Sequence, residues 1–220
     1  MERTTIQVGG FEVNCSILSD GDKAWIVDPG QEGERMVELL AERKLRPSAI
    51  LLTHAHFDHI GGIPALQTVF PGLPVYVGSA DRKIIGHPLN QLPPDYPEVK
   101  DVKDIRDAKC LKEEQSLDVE VIDTPGHTPG GVCYFFSAKP ARPSTEQSEQ
   151  SEQSNNPLLL SGDTLFAGSI GRTDLPGGDM ATLMGSLKKL TALPDDTLVV
   201  PGHGPSTSIA AEKGGNPFLQ

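Results

Sequence analysis

The sequence predicts a mixed α/β protein, because short apolar runs typical of strands alternate with amphipathic helical stretches along much of its 220 residues. A second observation concerns the strand ends, since at four of them a His or Asp follows almost at once. Residues on loops that a rigid sheet holds commonly carry function. We therefore expect an α/β scaffold that assembles one site from strand ends distant in sequence.

The N-terminal region predicts a hairpin followed by one more strand. Residues 4–8 and 11–18 are β-rich runs, and Gly9-Gly10 between them is typical of a hairpin turn. Residues 24–27 form the next apolar run, which Asp28-Pro29-Gly30 ends.

Two helices are expected, at residues 32–44 and 180–190. The first has acidic residues at its start and basic residues at its end, which suits the helix dipole. In each helix, a set of residues recurs at helical spacing and so lies on one face. The residues on these faces are Met36, Leu39, Leu40 and Arg43 in the first helix, and Leu183, Met184, Leu187 and Leu190 in the second.

Further apolar runs predict strands at residues 49–52, 75–77, 119–122, 132–136, 158–160 and 197–200. Four of these runs lead to a residue whose side chain could bind a metal. Those residues are His54, His127, Asp163 and His203.

Composition restricts the class of function. The hydrophobic fraction of 37% and the charged fraction of 22% are those of a globular protein, and no apolar run reaches the ~18 residues of a membrane span. The net charge is −11, whereas phosphate-binding proteins usually carry a basic patch, so we expect no nucleic-acid partner. A signal peptide is not expected. Because Cys15, Cys110 and Cys133 form no C-x-x-C pair, we expect a reducing cytoplasm.

We expect one domain, residues 1–220, with a low-complexity insertion at residues 137–157. The tripeptide Ser-Glu-Gln repeats in this insertion and aromatic residues are absent from it, so it cannot bury enough apolar surface to order itself. Because it lies between two expected strands, we interpret it as a flexible surface hairpin. A tolerated insertion is favoured over a partner-binding segment.

The histidines are concentrated in one segment, His54-Ala55-His56-Phe57-Asp58-His59. His54 and His56 are two apart, which places them on one side of an extended segment, and Asp58 and His59 can turn onto a helical start. Imidazole and carboxylate are the ligands that zinc and its neighbours prefer. These groups exceed the needs of one tetrahedral ion, so the segment indicates two divalent metal ions.

The remaining ligands must come from other strand ends. The candidates are His127 in Thr-Pro-Gly-His-Thr-Pro-Gly-Gly, Asp163 in Leu-Ser-Gly-Asp-Thr-Leu-Phe and His203 in Pro-Gly-His-Gly. Buried His and Asp side chains without partners are costly, so such a cluster favours metal binding over a merely structural role. His87 is left over, and we interpret it as a surface or substrate-loop residue.

These motifs resemble those of the metallo-β-lactamase superfamily, from the N-terminal strands to His203. The matching segments are T-H-A-H-F-D-H at residues 53–59, T-P-G-H-T-P-G at residues 124–130, Gly162-Asp163 and Pro201-Gly202-His203-Gly204. The resemblance implies a four-layer αββα sandwich with the metals at one edge. It also implies a division of the ligands: His54, His56 and His127 for one metal, Asp58, His59 and His203 for the second, and Asp163 as a bridge.

Within the superfamily the chain is similar to the glyoxalase II group, the hydroxyacylglutathione hydrolases, and most to its short bacterial members. The similarity rests on residues 162–166, on Gly171-Arg172-Thr173-Asp174 and on residues 216–219. Larger members place a lysine and a tyrosine where this chain has Arg172 and Asp174. We expect Arg172 to bind a substrate carboxylate. The alternative is a structural salt bridge with Asp174 or another acid.

This resemblance and the ligand chemistry predict hydrolysis of a thioester like S-lactoylglutathione. Two cations, zinc first and iron or manganese as alternatives, lower the pKa of a bridging water towards about 7. Asp58 would orient this nucleophile and accept its proton. A thiolate leaves without a strong general acid, because free thiols have a pKa of about 8.5. A thioester is therefore favoured over a β-lactam.

Other activities share the histidine motif. A persulfide dioxygenase would use a single iron held by His54, His127 and Asp163, and oxygen uptake would distinguish it. A nuclease or phosphodiesterase of the same fold would need a basic surface, whereas this chain is acidic. A non-enzymatic binding module with a decayed site would have lost ligands, whereas all of them are present.

Overall fold

The computed structural model describes residues 1–86, 90, 99–105, 111–112, 117–137 and 156–220, and its longer strands form two sheets. The first sheet has the order β1 (Glu2–Val8), β2 (Val13–Asp20), β3 (Lys23–Val27), β4 (Arg46–Leu51), β5 (Val75–Val77) and β6 (Val102–Asp104). The first three of these strands are antiparallel, and β3 to β6 are parallel.

The second sheet has the order β13 (Thr207–Ser208), β12 (Leu198–Pro201), β9 (Leu158–Gly162), β8 (Val132–Phe136) and β7 (Glu120–Asp123). Strands β7, β9 and β12 run in one direction, because β8 is antiparallel to β7 and β9, and β12 is parallel to β9. Their carboxyl ends therefore share one edge of the sheet. A short hairpin, β10 (Leu165–Phe166) and β11 (Ser169–Ile170), follows β9.

Helices cover the outer faces of both sheets. They are α1 (Gly33–Glu42), α2 (Phe57–Ile60), α3 (Ile63–Val69), α4 (Met180–Leu190) and α5 (Ile209–Gly215), with a 3₁₀ turn at Asp81–Lys83. Asp179 caps α4, since its side chain accepts a hydrogen bond from the Thr182 amide, and Ser208 caps α5 in the same way. In the part of the chain that the structure describes, no helix is long and apolar enough to cross a membrane.

Three buried apolar layers separate four layers of structure. One lies between α1, α3 and the first sheet, the second between the two sheets, and the third between the second sheet and α4 with α5. Alternate residues of one strand face opposite layers: Trp25 and Val27 face the other sheet, whereas Ile26 faces the helices. Strands buried on both faces need continuous apolar runs, which explains the pattern of the sequence. The αββα sandwich is confirmed.

Most of the elements expected from the sequence are present, with ends shifted by a few residues. The N-terminal hairpin pairs Val8 with Val13 around the glycine turn. The structure adds α3, α5, β6, β13 and the β10–β11 hairpin to the expected elements. Residues 138–155 of the predicted insertion, and His87, lie outside the described residues. The strands on either side of that insertion are antiparallel neighbours, with Phe136 opposite Leu158.

Candidate metal centre

The predicted metal ligands meet at the edge where strand ends of both sheets come together. His54, His56, Asp58 and His59 lie in the loop and short helix after β4, on the first sheet. The loops after β7, β9 and β12 of the second sheet contribute His127, Asp163 and His203. The Val132 amide donates to the Thr53 carbonyl over 2.8 Å, which ties the two sheets together beside the cluster.

The side chains form two groups with a carboxylate between them. The candidate ligand atoms of His54, His56 and His127 lie within 4.8 Å of one another, and so do those of Asp58, His59 and His203. In the first group His127 Nε2 is 3.0 Å from His56 Nδ1, and in the second His59 Nε2 is 3.3 Å from His203 Nε2. Asp163 faces both groups: Oδ1 is 3.5 Å from His59 Nε2, and Oδ2 is 3.6 Å from His127 Nε2.

Backbone carbonyls orient two of these imidazoles. His127 Nδ1 is 2.8 Å from the Arg172 carbonyl oxygen, and His203 Nδ1 is 2.7 Å from that of Phe11. A carbonyl oxygen can only accept, so each Nδ1 carries the proton and donates it. In the neutral form of each ring the lone pair is therefore on Nε2, which faces the centre of the cluster, as a metal ligand requires.

Asp28 orients the other two rings that present Nε2. It accepts hydrogen bonds from the Thr53 amide (2.8 Å) and hydroxyl (2.6 Å), and its Oδ2 is 3.1 Å from His59 Nδ1. Because the Thr53 hydroxyl donates to Asp28, it accepts from His54 Nδ1, 3.1 Å away. Asp28 thus acts on one imidazole of each group.

The cluster fits divalent metal ions. His54 Nε2 and Asp163 Oδ1 are buried and have no hydrogen-bond partner among the described residues, which is costly unless another ligand satisfies them. A tetrahedral ion with metal–nitrogen bonds of about 2.0–2.1 Å separates its ligand atoms by about 3.3–3.4 Å. The contacts of 3.0–3.6 Å between the facing nitrogen and oxygen atoms are close to that separation.

The charges of the metal-free cluster also favour cations. Burial lowers the pKa of His54, and neighbouring imidazoles add to the effect; burial and His127 lower the pKa of His56 to about 4. Both rings are therefore neutral and able to bind a metal. Burial would raise the pKa of Asp163, but the charge of His59, whose Nε2 lies 3.5 Å from Oδ1, outweighs it and lowers that pKa to about 2. Burial likewise opposes protonation of His59, but Asp163 and then Asp28 raise its pKa, so a metal must displace that proton.

Gly202 allows the loop after β12 to approach the cluster. A Cβ atom at this position would overlap Asp163 Oδ1 and lie 2.8 Å from His59 Cε1. The backbone at residue 202 also pairs with β2, because the Asn14 amide donates to the Gly202 carbonyl over 2.8 Å. Position 202 therefore has no room for a side chain.

Gly202→Ala is expected to lower the free energy of unfolding by roughly 1–3 kcal/mol, since an added methyl group overpacks a filled site. The substitution should also lower the amount of metal that the protein binds, because Asp163 and His59 must move. The matched control is Gly214→Ala in α5, where a Cβ meets nothing within 4 Å; this change should stabilise the helix by about 0.5–1 kcal/mol. Urea unfolding and metal analysis measure both effects. Wild-type stability and metal content in Gly202→Ala would contradict this account of the loop.

Sequence reasoning missed two buried aspartates, Asp28 and Asp81. Asp28 directly follows the apolar run of β3, so the strand-end pattern that pointed to the candidate ligands could also have pointed to it. Asp81 follows β5 at a longer distance and begins a 3₁₀ turn. No local signal distinguished it from a surface aspartate, although its side chain is fully buried.

Arg172 lies beside the cluster through its backbone, whereas its side chain points to Asp174. Arg172 Nε and Nη2 donate to the two carboxylate oxygens of Asp174, both over 2.7 Å. The side chains are 61% and 67% exposed. The salt bridge considered from the sequence is therefore present, and binding of a substrate carboxylate by Arg172 stays a prediction.

The αββα sandwich and its edge cluster of imidazoles and carboxylates are those of the metallo-hydrolases. The chain belongs to the metallo-beta-lactamase superfamily, whose family model matches residues 8–141 and 135–203. Members of this superfamily bind divalent metals.

Relatives match over nearly the whole length. The chain is 35% identical to the probable metallo-hydrolase YqgX of Bacillus subtilis, covering 100% of this chain and 98% of the relative. It is 34% identical to the hydroxyacylglutathione hydrolase GloC of Haemophilus influenzae, covering 97% and 96%.

Solved structures agree with the fold. The B3 metallo-beta-lactamase BLEG-1 superposes with a TM-score of 0.77 at 35% identity, over 99% of both chains. TTHA1623 in a di-iron-bound form gives a TM-score of 0.75 at 34% identity, over 98% of this chain and 100% of that one. ETHE1 from Myxococcus xanthus gives 0.68 at 26% identity, over 99% and 84%.

Proposed function

We propose that this protein hydrolyses a small-molecule thioester of the hydroxyacylglutathione type, using two divalent metal ions, with zinc as the first choice and iron or manganese as alternatives. The observation that carries the proposal is the orientation of the cluster. His54, His59, His127 and His203 present Nε2 to the centre while their Nδ1 atoms face oxygen atoms. Similarity to the hydroxyacylglutathione hydrolase GloC supports the choice of substrate.

Each of the two groups of side chains would bind one metal ion. His54, His56 and His127 would hold one ion, Asp58, His59 and His203 the other, and Asp163 lies close enough to both groups to bridge them. Two bound ions would supply a hydroxide at neutral pH and polarise the thioester carbonyl.

Asp58 is the residue that we assign to proton handling. Its side chain is 14% exposed, and its Oδ2 lies 3.3 Å from His203 Nε2. Burial would raise its pKa, but the hydrogen bond with His203 and the charge of His59 outweigh it, so the pKa is lowered and the group is ionised at neutral pH. An ionised carboxylate can orient a water and accept its proton. The thiolate product leaves without a proton donor.

Arg172 would bind a substrate carboxylate in place of the carboxylate of Asp174. Its guanidinium already forms a two-point pair with a carboxylate, that of Asp174, and the pair is exposed. A carboxylate of the substrate offers the same planar geometry. The net charge of −11 argues against nucleic acid as a substrate, and cysteine usage favours a cytoplasmic enzyme.

A β-lactam is the second candidate substrate. The observation in its favour is the 35% identity to a B3 metallo-beta-lactamase over 99% of the chain. Hydrolysis of an amide needs a proton for the leaving nitrogen, whereas thioester hydrolysis does not. The thioester is therefore preferred.

The test follows thioester loss from S-lactoylglutathione with purified protein of known metal content. Rapid hydrolysis that a chelator abolishes and added metal restores is the expected result. A cephalosporin assayed in parallel tests the second candidate, and oxygen uptake with a glutathione persulfide tests the single-iron dioxygenase. Two bound metals without thioester hydrolysis would reject the substrate class, and a single iron with oxygen uptake would reject the hydrolase.

A further inference from the structure

A buried aspartate outside the ligand set joins the two loops that supply the first group of histidines. Asp81 is 0% exposed. Its Oδ2 accepts a hydrogen bond from the Ala55 amide over 3.1 Å, and its Oδ1 accepts one from the Gly130 amide over 2.6 Å. Both donors are backbone groups of loops from different sheets.

These donors are next to the histidines in sequence. Ala55 lies between His54 and His56, and Gly130 lies three residues after His127. One carboxylate therefore fixes the backbone on both sides of the His54–His56–His127 group without touching an imidazole. The contact is tight, because a Cβ atom at Gly130 would lie 2.5 Å from the Asp81 amide nitrogen and 2.7 Å from its Oδ1.

Burial of a carboxylate destabilises the folded state more than burial of a neutral side chain that could link the same loops. Burial raises the pKa of Asp81, and contacts with Thr128, Gly130 and Ala55 counteract this effect only in part. Removing a carboxylate from water costs several kcal/mol unless hydrogen bonds satisfy it. The two charge-assisted bonds to backbone amides are the strong, directional contacts that set a loop position closely.

The second group of candidate ligands is held by contacts that do not involve Asp81. His59 Nδ1 faces Asp28, 3.1 Å away, and His203 Nδ1 faces the Phe11 carbonyl. Of the backbone amides that Asp81 contacts, neither belongs to Asp58, His59 or His203. A change at Asp81 therefore acts on the first group, whereas a change at Asp28 would act on both.

We propose that Asp81 is a positioning residue. It sets the distance between the pair His54 and His56 on one loop and His127 on the other, and so determines the metal affinity of the first group alone. The inference rests on the proposed metal centre. The hydrogen bonds of Asp81 exist before a metal binds. Metal affinity therefore tests their effect without a substrate.

The test is Asp81→Asn, which keeps the volume but turns an amide donor towards one of the two backbone donors. Titration with Zn²⁺ against a chromophoric chelator, and with Co²⁺ by visible absorption, resolves the two binding steps. The step that belongs to the first group is expected to weaken about 10–100-fold, the range found when groups that orient metal ligands are lost. The other step should be unchanged.

Glu212→Gln is the matched control. Glu212 is also a buried carboxylate, 4% exposed, and it accepts hydrogen bonds from the Gly168 amide (2.9 Å), the Thr207 hydroxyl (2.6 Å) and the Asn216 side-chain amide (2.8 Å). None of these partners is a predicted ligand. This variant should lose stability while both metal-binding steps keep their wild-type affinity.

Hydrogen exchange on the wild-type protein gives a second readout that needs no variant. If Asp81 holds the loops, the amides of Ala55 and Gly130 stay protected after the metals are removed. Loss of that protection on metal removal would overturn the proposal, and so would an unchanged first step in Asp81→Asn or an equal loss of affinity in Glu212→Gln. A wild-type protein that binds no metal would instead reject the metal centre, and this inference with it.

Discussion

Replacement of Asp58 by alanine is expected to lower kcat for thioester hydrolysis by about 10²–10⁴-fold, the usual contribution of a positioned proton acceptor. Asp58 has the features of that group: it is a partly exposed carboxylate at the cluster, it lies 3.3 Å from His203 Nε2, and its pKa is lowered. The folded state should survive, because the side chain fills no apolar layer. Circular dichroism and steady-state kinetics at saturating metal measure the two effects.

Asp174→Ala is the matched control for this variant. Asp174 is also an aspartate close to the centre, but it is 67% exposed and bonds only to Arg172 among its described side-chain partners. Its loss should leave kcat close to the wild-type value. Near wild-type turnover in Asp58→Ala, with both metals bound, would reject the assigned role.

Removal of the metals is expected to lower the melting temperature by about 8–16 °C. A ligand present at about 1,000 times its dissociation constant stabilises the native state by about 4 kcal/mol, and each kcal/mol shifts the melting temperature of a chain of this size by about 2–4 °C. The physical reason is the cluster itself, in which His56 Nδ1 and His127 Nε2 are 3.0 Å apart and His54 Nε2 is buried without a partner. Calorimetry with and without a chelator measures the shift.

His127→Ala provides the control for metal removal, because it takes one ligand from the first group and should reduce the response to the chelator. The Gly214→Ala variant, far from the cluster, should keep the full response. Equal melting temperatures for the metal-loaded and metal-free wild-type protein would show that the cluster binds no metal tightly.

The sequence predicted individual strands where the local pattern and the tertiary environment agree, whereas the four-layer sandwich was implied by the resemblance to the superfamily. The apolar runs of β3, β4 and β8 are continuous because both faces of each strand are buried, and such runs are easily recognised. Helix α3 was missed because it has only seven residues, and the two-residue strands β10 and β11 are too short for any periodicity. Their formation depends on contacts with distant segments.

For the candidate site, the sequence pointed to the candidate ligand side chains but not to the groups that orient them. The spacing of His54, His56, Asp58 and His59 is a local signal, and strand ends located the other candidates. The function of Arg172 as a hydrogen-bond acceptor for His127 belongs to its backbone, so its residue type says nothing about it. Asp81 is a lone aspartate whose partners lie 26 and 49 residues away, so only the folded chain shows its contacts.

The contact between the N-terminal hairpin and the loop after β12 determines when the centre can form during folding. Asn14 donates to the carbonyls of Pro201 and Gly204, across 187 and 190 positions of the chain, and the Phe11 carbonyl accepts from His203. Contacts at such separations are costly to close and form slowly. A nascent chain therefore holds the histidines of residues 54–59 long before β12 is made, and the second group of candidate ligands is completed only when the loop that carries His203 reaches the N-terminal hairpin.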